Sequence, residues 1–429
     1  MTRRNHRQLL VAASVLGVVL VLAVAVLVRG LGGGNEPVPP AATGKAPPSQ
    51  SAERFLDSVG VNVHVTYLDT SYARIDDWLA RLRELGVHHV RDGLVLGSTA
   101  STQRLRALAA AGMRLTLITA LGDDPNKQIS YAASTFGRSV EAVEAPNEVD
   151  AMGPSDWAER LRSFLPRLRA AVDADGPPSR TIIGPSFVHA ESWKQVGALA
   201  GTWNVANLHP YPGGQEPSAN LGQQVALARE QRRDQPIEVT ETGYHNALRG
   251  NTGQPPVSEA AAGAYMPRLA LAYFASGIER TFIYELADEK PDPGLGQPEQ
   301  HFGLLRADLT PKPAFLALRN LLQTVRTSDG AGEPRDVRVS AAPDVRTLLL
   351  QRRDGSSVLA LWRSASVWDV DARAPSVATP VPATVRFGKR AKDVAVSRPT
   401  VRAEPLSRRR DAAELRVPVA GDVVLVSYR

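Results

Sequence analysis

Ala142-Val143-Glu144-Ala145-Pro146-Asn147-Glu148-Val149-Asp150 opens as an apolar, β-prone run, meets a proline, and ends in an amide followed by a carboxylate. Pro146 stiffens the chain beyond the strand, which delivers Asn147 and Glu148 to the open end of a sheet. Taken alone, such a pair is equally well a solvated loop, because most charged side chains are exposed. About ninety residues on, Ile237-Glu238-Val239-Thr240-Glu241-Thr242-Gly243-Tyr244 has the same design: a strand, a carboxylate, then a turn. Two strands that each eject a glutamate make one shared cavity worth testing.

Working outward, short β-rich runs alternate with amphipathic helical segments. The strand runs are Gly60–Val65, Val87–Arg91, Leu115–Ala120, the opening stretch, Thr181–Gly184, Trp203–His209, Pro236–Glu241 and Arg280–Glu285. Helical spacing marks Tyr72–Leu85, where Ile75, Trp78, Leu79, Leu82 and Leu85 recur at threes and fours. Further helices are expected at Ser101–Ala111, Ser155–Ala174, Leu221–Arg233, Ser258–Ala275 and Pro313–Val325. Eight such repeats match a (β/α)₈ barrel, typically about 250 residues. A doubly wound sheet would carry a glycine-rich phosphate loop after its first strand, and Thr66-Tyr67-Leu68-Asp69 is none. The α/β class is therefore expected as a TIM barrel over residues 52–327. Residues 335–429 lack helical periodicity. Thr347–Gln351 and Val358–Trp362 flank an Asp354-Gly355 turn, a hairpin signal, and a small antiparallel β-sandwich is expected. Trp362 and Trp368 are expected in its core rather than on a sugar-stacking face.

The ends set the compartment. Leu9–Val28 is twenty residues without a charge, about 30 Å as a helix and long enough to span a bilayer. Arg3, Arg4 and Arg7 precede it, so the positive-inside rule holds residues 1–8 in the cytoplasm and sends the rest outward. A membrane anchor over residues 9–28 is expected, with secretion after cleavage as the alternative, since Ala23-Val24-Ala25 imitates a cleavage site. Residues 29–51, rich in glycine and proline, read as a linker. The net charge of +6 is carried largely by Arg3, Arg4 and Arg7 and by a late cluster including Lys389, Arg390, Lys392, Arg408, Arg409 and Arg410. No aromatics interleave with that cluster, which argues against nucleic acid and for a solvated or anionic-surface-facing patch. The chain has no cysteine, so disulfides and thiolate metal sites are excluded.

In a barrel the C-terminal strand ends share one mouth. Here they offer Arg91, Asn147 and Glu148, His209 and Tyr211, Glu241, and Tyr284 and Glu285. Two carboxylates on nearby strands are what glycosidic cleavage needs, one protonated for the leaving oxygen and one ionised. No cofactor is required. A metal-dependent hydrolase would have His64, His209 and His301 to draw on, yet no His-x-His or His-Glu-x-x-His spacing occurs, and no metal is expected.

Arg91, Asn147-Glu148, His209-Pro210-Tyr211 and Glu241 resemble the catalytic set of clan A retaining glycoside hydrolases, the cellulase-like family 5 and family 39 groups being nearest. His301-Phe302-Gly303-Leu304-Leu305 through Lys312-Pro313-Ala314-Phe315 resembles the closing segment of such barrels. The resemblance implies Glu148 as acid/base and Glu241 as nucleophile. It makes Arg91, Asn147, His209, Tyr211, His64, Tyr284, Glu285 and Trp193 the substrate-binding set, with Phe187 and Tyr244 as further stacking candidates. Two positions depart from the pattern: Val149 stands where many relatives have proline, and Tyr284-Glu285 where strand 8 often ends in tryptophan. The partners implied are a poly- or oligosaccharide and the membrane, with the protein a monomer. A transglycosylase or a non-catalytic glycan-binding barrel are the alternatives on the same scaffold.

Overall fold

The computed structural model describes residues 44–429 apart from 198, 200, 232, 251–252, 329 and 334–335. Eight parallel strands form its first sheet: β1 (Val59–Asn62), β2 (His89–Gly93), β3 (Arg114–Ile118), β4 (Val140–Glu144), β5 (Ile182–Ile183), β6 (Ala206–Leu208), β7 (Ile237–Thr242) and β8 (Arg280–Ile283). The hydrogen-bonded order runs β5-β4-β3-β2-β1-β8-β7-β6, and a parallel bridge between Ile183 and Val205 brings its two ends together. Between the strands lie helices, as the alternating pattern requires. Strands flanked by helices outside and packed side chains inside are buried on both faces, and every residue of β1 and of β7 is buried. The outward positions are apolar (Val61, Val90, Val143, Val239), whereas Asn62, Arg91, Glu144, Asn207 and Thr240 point inward and bond to one another. Gly60 is forced by this closure, since a Cβ there would stand 2.6 Å from the Phe282 ring.

Most strands end earlier than the sequence pattern placed them, while β2 and β7 run one or two residues further, to Gly93 and Thr242. β4 stops at Glu144 because Pro146, without an N–H, cannot extend the ladder. Helix Pro125–Phe136 was not anticipated, although its start is written in the chain: Asp124 caps it by accepting from the Asn126 N–H, and Pro125 takes the first turn.

The second sheet contains β9 (Val337–Ser340), β10 (Val345–Gln351), β11 (Ser357–Arg363), β12 (Val381–Arg398), β13 (Arg402–Val419) and β14 (Val424–Tyr428). A strand from the start of the described chain, Ser49–Ser51, joins it parallel to β10, so that stretch is structured rather than linker. Hydrogen bonds join these strands in one continuous sheet, in the order Ser49–Ser51, β10, β11, β14, β12, β9, with β13 on β12. β12 makes this continuity possible. Eighteen residues long, it shifts register between Arg386 and Ala391, pairing β9 with its first half and β14 with its second. Alternation assigns the two faces. Leu348, Leu350, Val358, Ala360 and Leu425 share the barrel's core, while Leu349, Leu359, Leu361, Val424 and Val426 pack on β12 and β13. Trp362 and Trp368 are buried in that shared core, as expected for aromatics there.

Among the described residues no helix is long and apolar enough to cross a membrane. The anchor expected at Leu9–Val28, the basic tip before it and the linker as far as residue 43 lie outside the described residues.

Candidate active site

Arg91 organises the barrel mouth. Its side chain is 2% exposed, and its fork closes on Glu144, with Nε to Oε2 at 2.6 Å and Nη2 to Oε1 at 2.7 Å. The remaining hydrogens reach Glu241 Oε1 at 2.6 Å, Asn62 Oδ1 at 2.9 Å and Asn147 Oδ1 at 2.8 Å. One guanidinium thus fixes side chains from β1, β4, β7 and the loop after β4. Glu241 also accepts from the Tyr211 hydroxyl at 3.0 Å. Burial opposes its charge, yet the nearby His209 and Arg91 and the bonds from Arg91 and Tyr211 hold its carboxyl below the usual carboxylate range. Burial pushes the Tyr211 phenol well up, which keeps it a donor.

Glu148 stands opposite. It lies four residues past β4 with φ 44° and ψ 40°, the left-handed region that non-glycine residues seldom adopt and that clusters at functional sites. Ser186 braces this turn, its Oγ accepting from the Glu148 N–H at 3.3 Å and donating to Asn147 Oδ1 at 3.0 Å. With Oδ1 taken by Arg91 and Ser186, the Asn147 amide N–H₂ is left for a ligand.

A chain of hydrogen bonds settles the proton on His209. Asn207 Nδ2 donates to Glu144 Oε1 at 2.9 Å and to the Gly184 carbonyl at 3.2 Å, so its Oδ1 must be the atom that faces Thr240. Thr240 gives its single hydroxyl proton to that oxygen at 2.7 Å, the other acceptor in reach being Glu144 Oε1 at 3.3 Å. The Thr240 oxygen can then only accept from His209 Nε2, 2.9 Å away, which places a proton on Nε2. His209 Nδ1 lies 2.7 Å from Glu148 Oε1. The pair therefore shares one further proton, either as carboxylic acid and neutral imidazole or as carboxylate and imidazolium.

A carboxylate oxygen of Glu148, one of Glu241 and a ring nitrogen of His209 all lie within 4.8 Å of one another. A metal ion could accept that spacing. In this arrangement, however, Nε2 is held by Thr240, Nδ1 by Glu148, and Glu241 by Arg91 and Tyr211.

These groups open into a cavity of about 950 Å³, lined also by His64, Tyr67, Asp92, Phe187, Tyr284, Glu299 and Phe302. That is room for more than one sugar ring, at the upper end of ligand pockets. Of the residues expected from sequence, Arg91, Asn147, Glu148, His209, Tyr211, Glu241, His64 and Tyr284 all line it. Glu285 does not. It is fully buried behind the wall, accepting from the Tyr72 hydroxyl at 2.8 Å, with His64 Nε2 at 3.2 Å and out of hydrogen-bond alignment. Burial raises the Glu285 carboxyl, yet its place beside His64 pushes that imidazole up to about 9 against the cost of its own burial. Trp193 is likewise withdrawn, packed edge-on against Phe187 and tilted on Trp203; of these rings Phe187 alone reaches the cavity. Tyr244 is buried against Tyr265, and His301 pairs with Asp292, both outside the cavity wall. Asn62, Glu144, Ser186, Asn207 and Thr240 were not singled out by sequence. Glu144 is one of two glutamates in β4, and nothing in the sequence separates it from Glu141.

The scan of protein-family models finds no match, and the search of curated proteins finds none. Solved structures do match. A family 39 glycoside hydrolase from the gut symbiont Bacteroides cellulosilyticus aligns over 90% of this chain and 83% of its own, with a TM-score of 0.64 at 15% identity. A monomeric β-xylosidase from Caulobacter crescentus covers 90% and 97%, with a TM-score of 0.60 at 14% identity. A family 39 enzyme from Xanthomonas axonopodis pv. citri covers 90% and 96%, with a TM-score of 0.57 at 16% identity. At these identities the likeness is one of fold: a (β/α)₈ barrel with a further sheet in the same chain.

Proposed function

We propose that the chain is a retaining glycoside hydrolase, with Glu241 as nucleophile and Glu148 as acid/base. The observation that carries this is the approach of the two carboxylates within 4.8 Å across a sugar-sized cavity. Retaining pairs sit about 5–5.5 Å apart, whereas inverting pairs need roughly 6.5–9.5 Å for an intervening water. The electrostatics divide the roles in the same sense, since Arg91 and Tyr211 keep Glu241 anionic while Glu148 shares a proton with His209.

In the first step a Glu241 oxygen forms a bond to the anomeric carbon, the glycosidic C–O bond breaks, and the leaving oxygen takes the proton held by Glu148 and His209. In the second, Glu148 removes a proton from water, the water oxygen bonds to the anomeric carbon, and the Glu241 ester bond breaks. An acceptor hydroxyl in place of that water would give transglycosylation. The Asn147 amide donates to a sugar hydroxyl, Tyr284 and Phe187 offer ring faces, and His64 supplies a cationic donor. The uncharged run Leu9–Val28 behind Arg3, Arg4 and Arg7 supports an anchored enzyme working outside the cytoplasm on envelope or extracellular glycans.

Single-turnover kinetics on activated aryl glycosides test the roles. Glu241→Gln is expected to abolish release of the aryl group, whereas Glu148→Gln is expected to spare it, because a good leaving group needs no acid. Equal loss in both variants contradicts the assignment. Glycan binding by the wild type, without turnover of any glycoside, would favour the non-catalytic alternative.

A further inference from the structure

One hairpin carries a net charge as large as that of the whole chain. Residues 381–419, which form β12 and β13, hold ten arginines and lysines against four acidic residues, a net of +6, equal to that of the whole chain. The rest of the chain therefore sums to zero. Lys389, Arg390, Lys392, Arg408, Arg409 and Arg410 are all exposed. Among the described residues β13 is an edge strand, its ladder pairing with β12 alone. Charge on an edge guards against pairing with other strands, and Lys or Glu can do so. The excess of one sign needs another reason.

We propose that this hairpin docks on an anionic bilayer surface, its arginines and lysines facing lipid phosphate headgroups. The point where the described chain begins favours that partner. Lys45 bridges Val339 of β9, Arg338 Nη1 donates to the Gly44 carbonyl at 3.2 Å, and Val339 in turn pairs with Val385 of β12. The chain thus enters the body two strand spacings, about 10 Å, from Val385, on the strand that goes on to Lys389, Arg390 and Lys392. Only fifteen residues separate Gly44 from Val28, the end of the apolar run, and at full extension they reach about 50 Å. With that run in a bilayer the tether keeps the body within about 50 Å of the surface, and lipid charge would draw a basic hairpin onto it within a Debye length. Docking there would fix how the barrel mouth is presented, whatever its chemistry.

The test uses the full chain. It has no cysteine, so a fluorophore on Ser407→Cys, an exposed position of β13, labels it uniquely. Energy transfer to acceptor lipids is measured in nanodiscs of neutral phosphatidylcholine and in discs with added phosphatidylglycerol. Transfer about twofold or more higher in the anionic discs is expected, falling to the neutral level in 1 M salt and in R408E/R409E/R410E. Circular dichroism melts check that the triple variant is folded. Equal transfer in both discs, or transfer indifferent to salt and to the triple variant, overturns the proposal. A label that responds to soluble dextran sulfate but not to anionic lipid assigns the face to a polyanionic polymer and overturns it equally.

Discussion

At Thr240 a single hydroxyl proton decides what His209 can do. Committed to Asn207, it leaves the oxygen as an acceptor and keeps the His209 Nε2 proton in place, so that only Nδ1 exchanges a proton with Glu148. Thr240→Val removes that restraint without altering either glutamate. Its kcat on substrates with poor leaving groups is expected to fall about 10-fold or more, with KM little changed and activated aryl glycosides nearly unaffected. Equal loss on both substrate types would mean that Thr240 acts through packing alone. Glu148 and Glu241 were legible in the sequence because each follows an apolar run that has to end. Thr240, Asn207 and Glu144 were not, because inside a strand only register tells an inward polar group from an outward one. Trp193 misled for a related reason: a tryptophan near a barrel mouth reads as a sugar platform, yet here Phe187 and Trp203 cover it.

The strands also carry charge at their opposite ends. His89 on β2 lies between Asp57 and Glu141, and Arg280 on β8 bridges Asp57, Glu141 and Glu238. This end of a barrel serves stability. Glu238 on β7 is the weak member: it is 4% exposed, its Oε2 has no hydrogen-bond partner, and burial pushes its carboxyl up to about 7. A raised carboxyl binds more protons folded than unfolded, so its contribution to stability declines as pH climbs from about 4.5 to about 7. Glu238→Gln is therefore expected to stabilise at pH 8, by on the order of 1–3 kcal/mol, and to change little at pH 4.5. Thermal melts at the two pH values check this; the same shift at both would show that ionisation is not the cause. The number and order of the strands were readable from alternating periodicity, while their ends were not, since strand and following loop share a polar vocabulary at the mouth.

Across the whole molecule, barrel and second sheet are joined by a common core and by buried polar bonds. Arg268, fully buried, donates to the carbonyls of Ala365 and Gly421, and Tyr265 bonds Ser366 and Val367. Asn320 and Thr324 on the closing helix bond the carbonyls of Pro399 and Ala403. Removing the sheet would expose Tyr265 and strip Arg268 of both carbonyl acceptors. A chain ending at residue 327 is expected to be insoluble or molten, and a soluble barrel with cooperative unfolding would contradict this. The sequence pointed to two separate bodies because the helical pattern stops near residue 327. The strand Ser49–Ser51 and the shared core reveal themselves only in three dimensions, through contacts between distant residues.

The role of Glu241 is most directly tested by mass spectrometry of Glu148→Gln quenched during turnover of an activated aryl glycoside. A glycosyl mass on the peptide containing Glu241, absent when Glu241 is also changed to Gln, is the expected result. A glycosyl mass on another peptide, or release of sugar unchanged in the double variant, would contradict it.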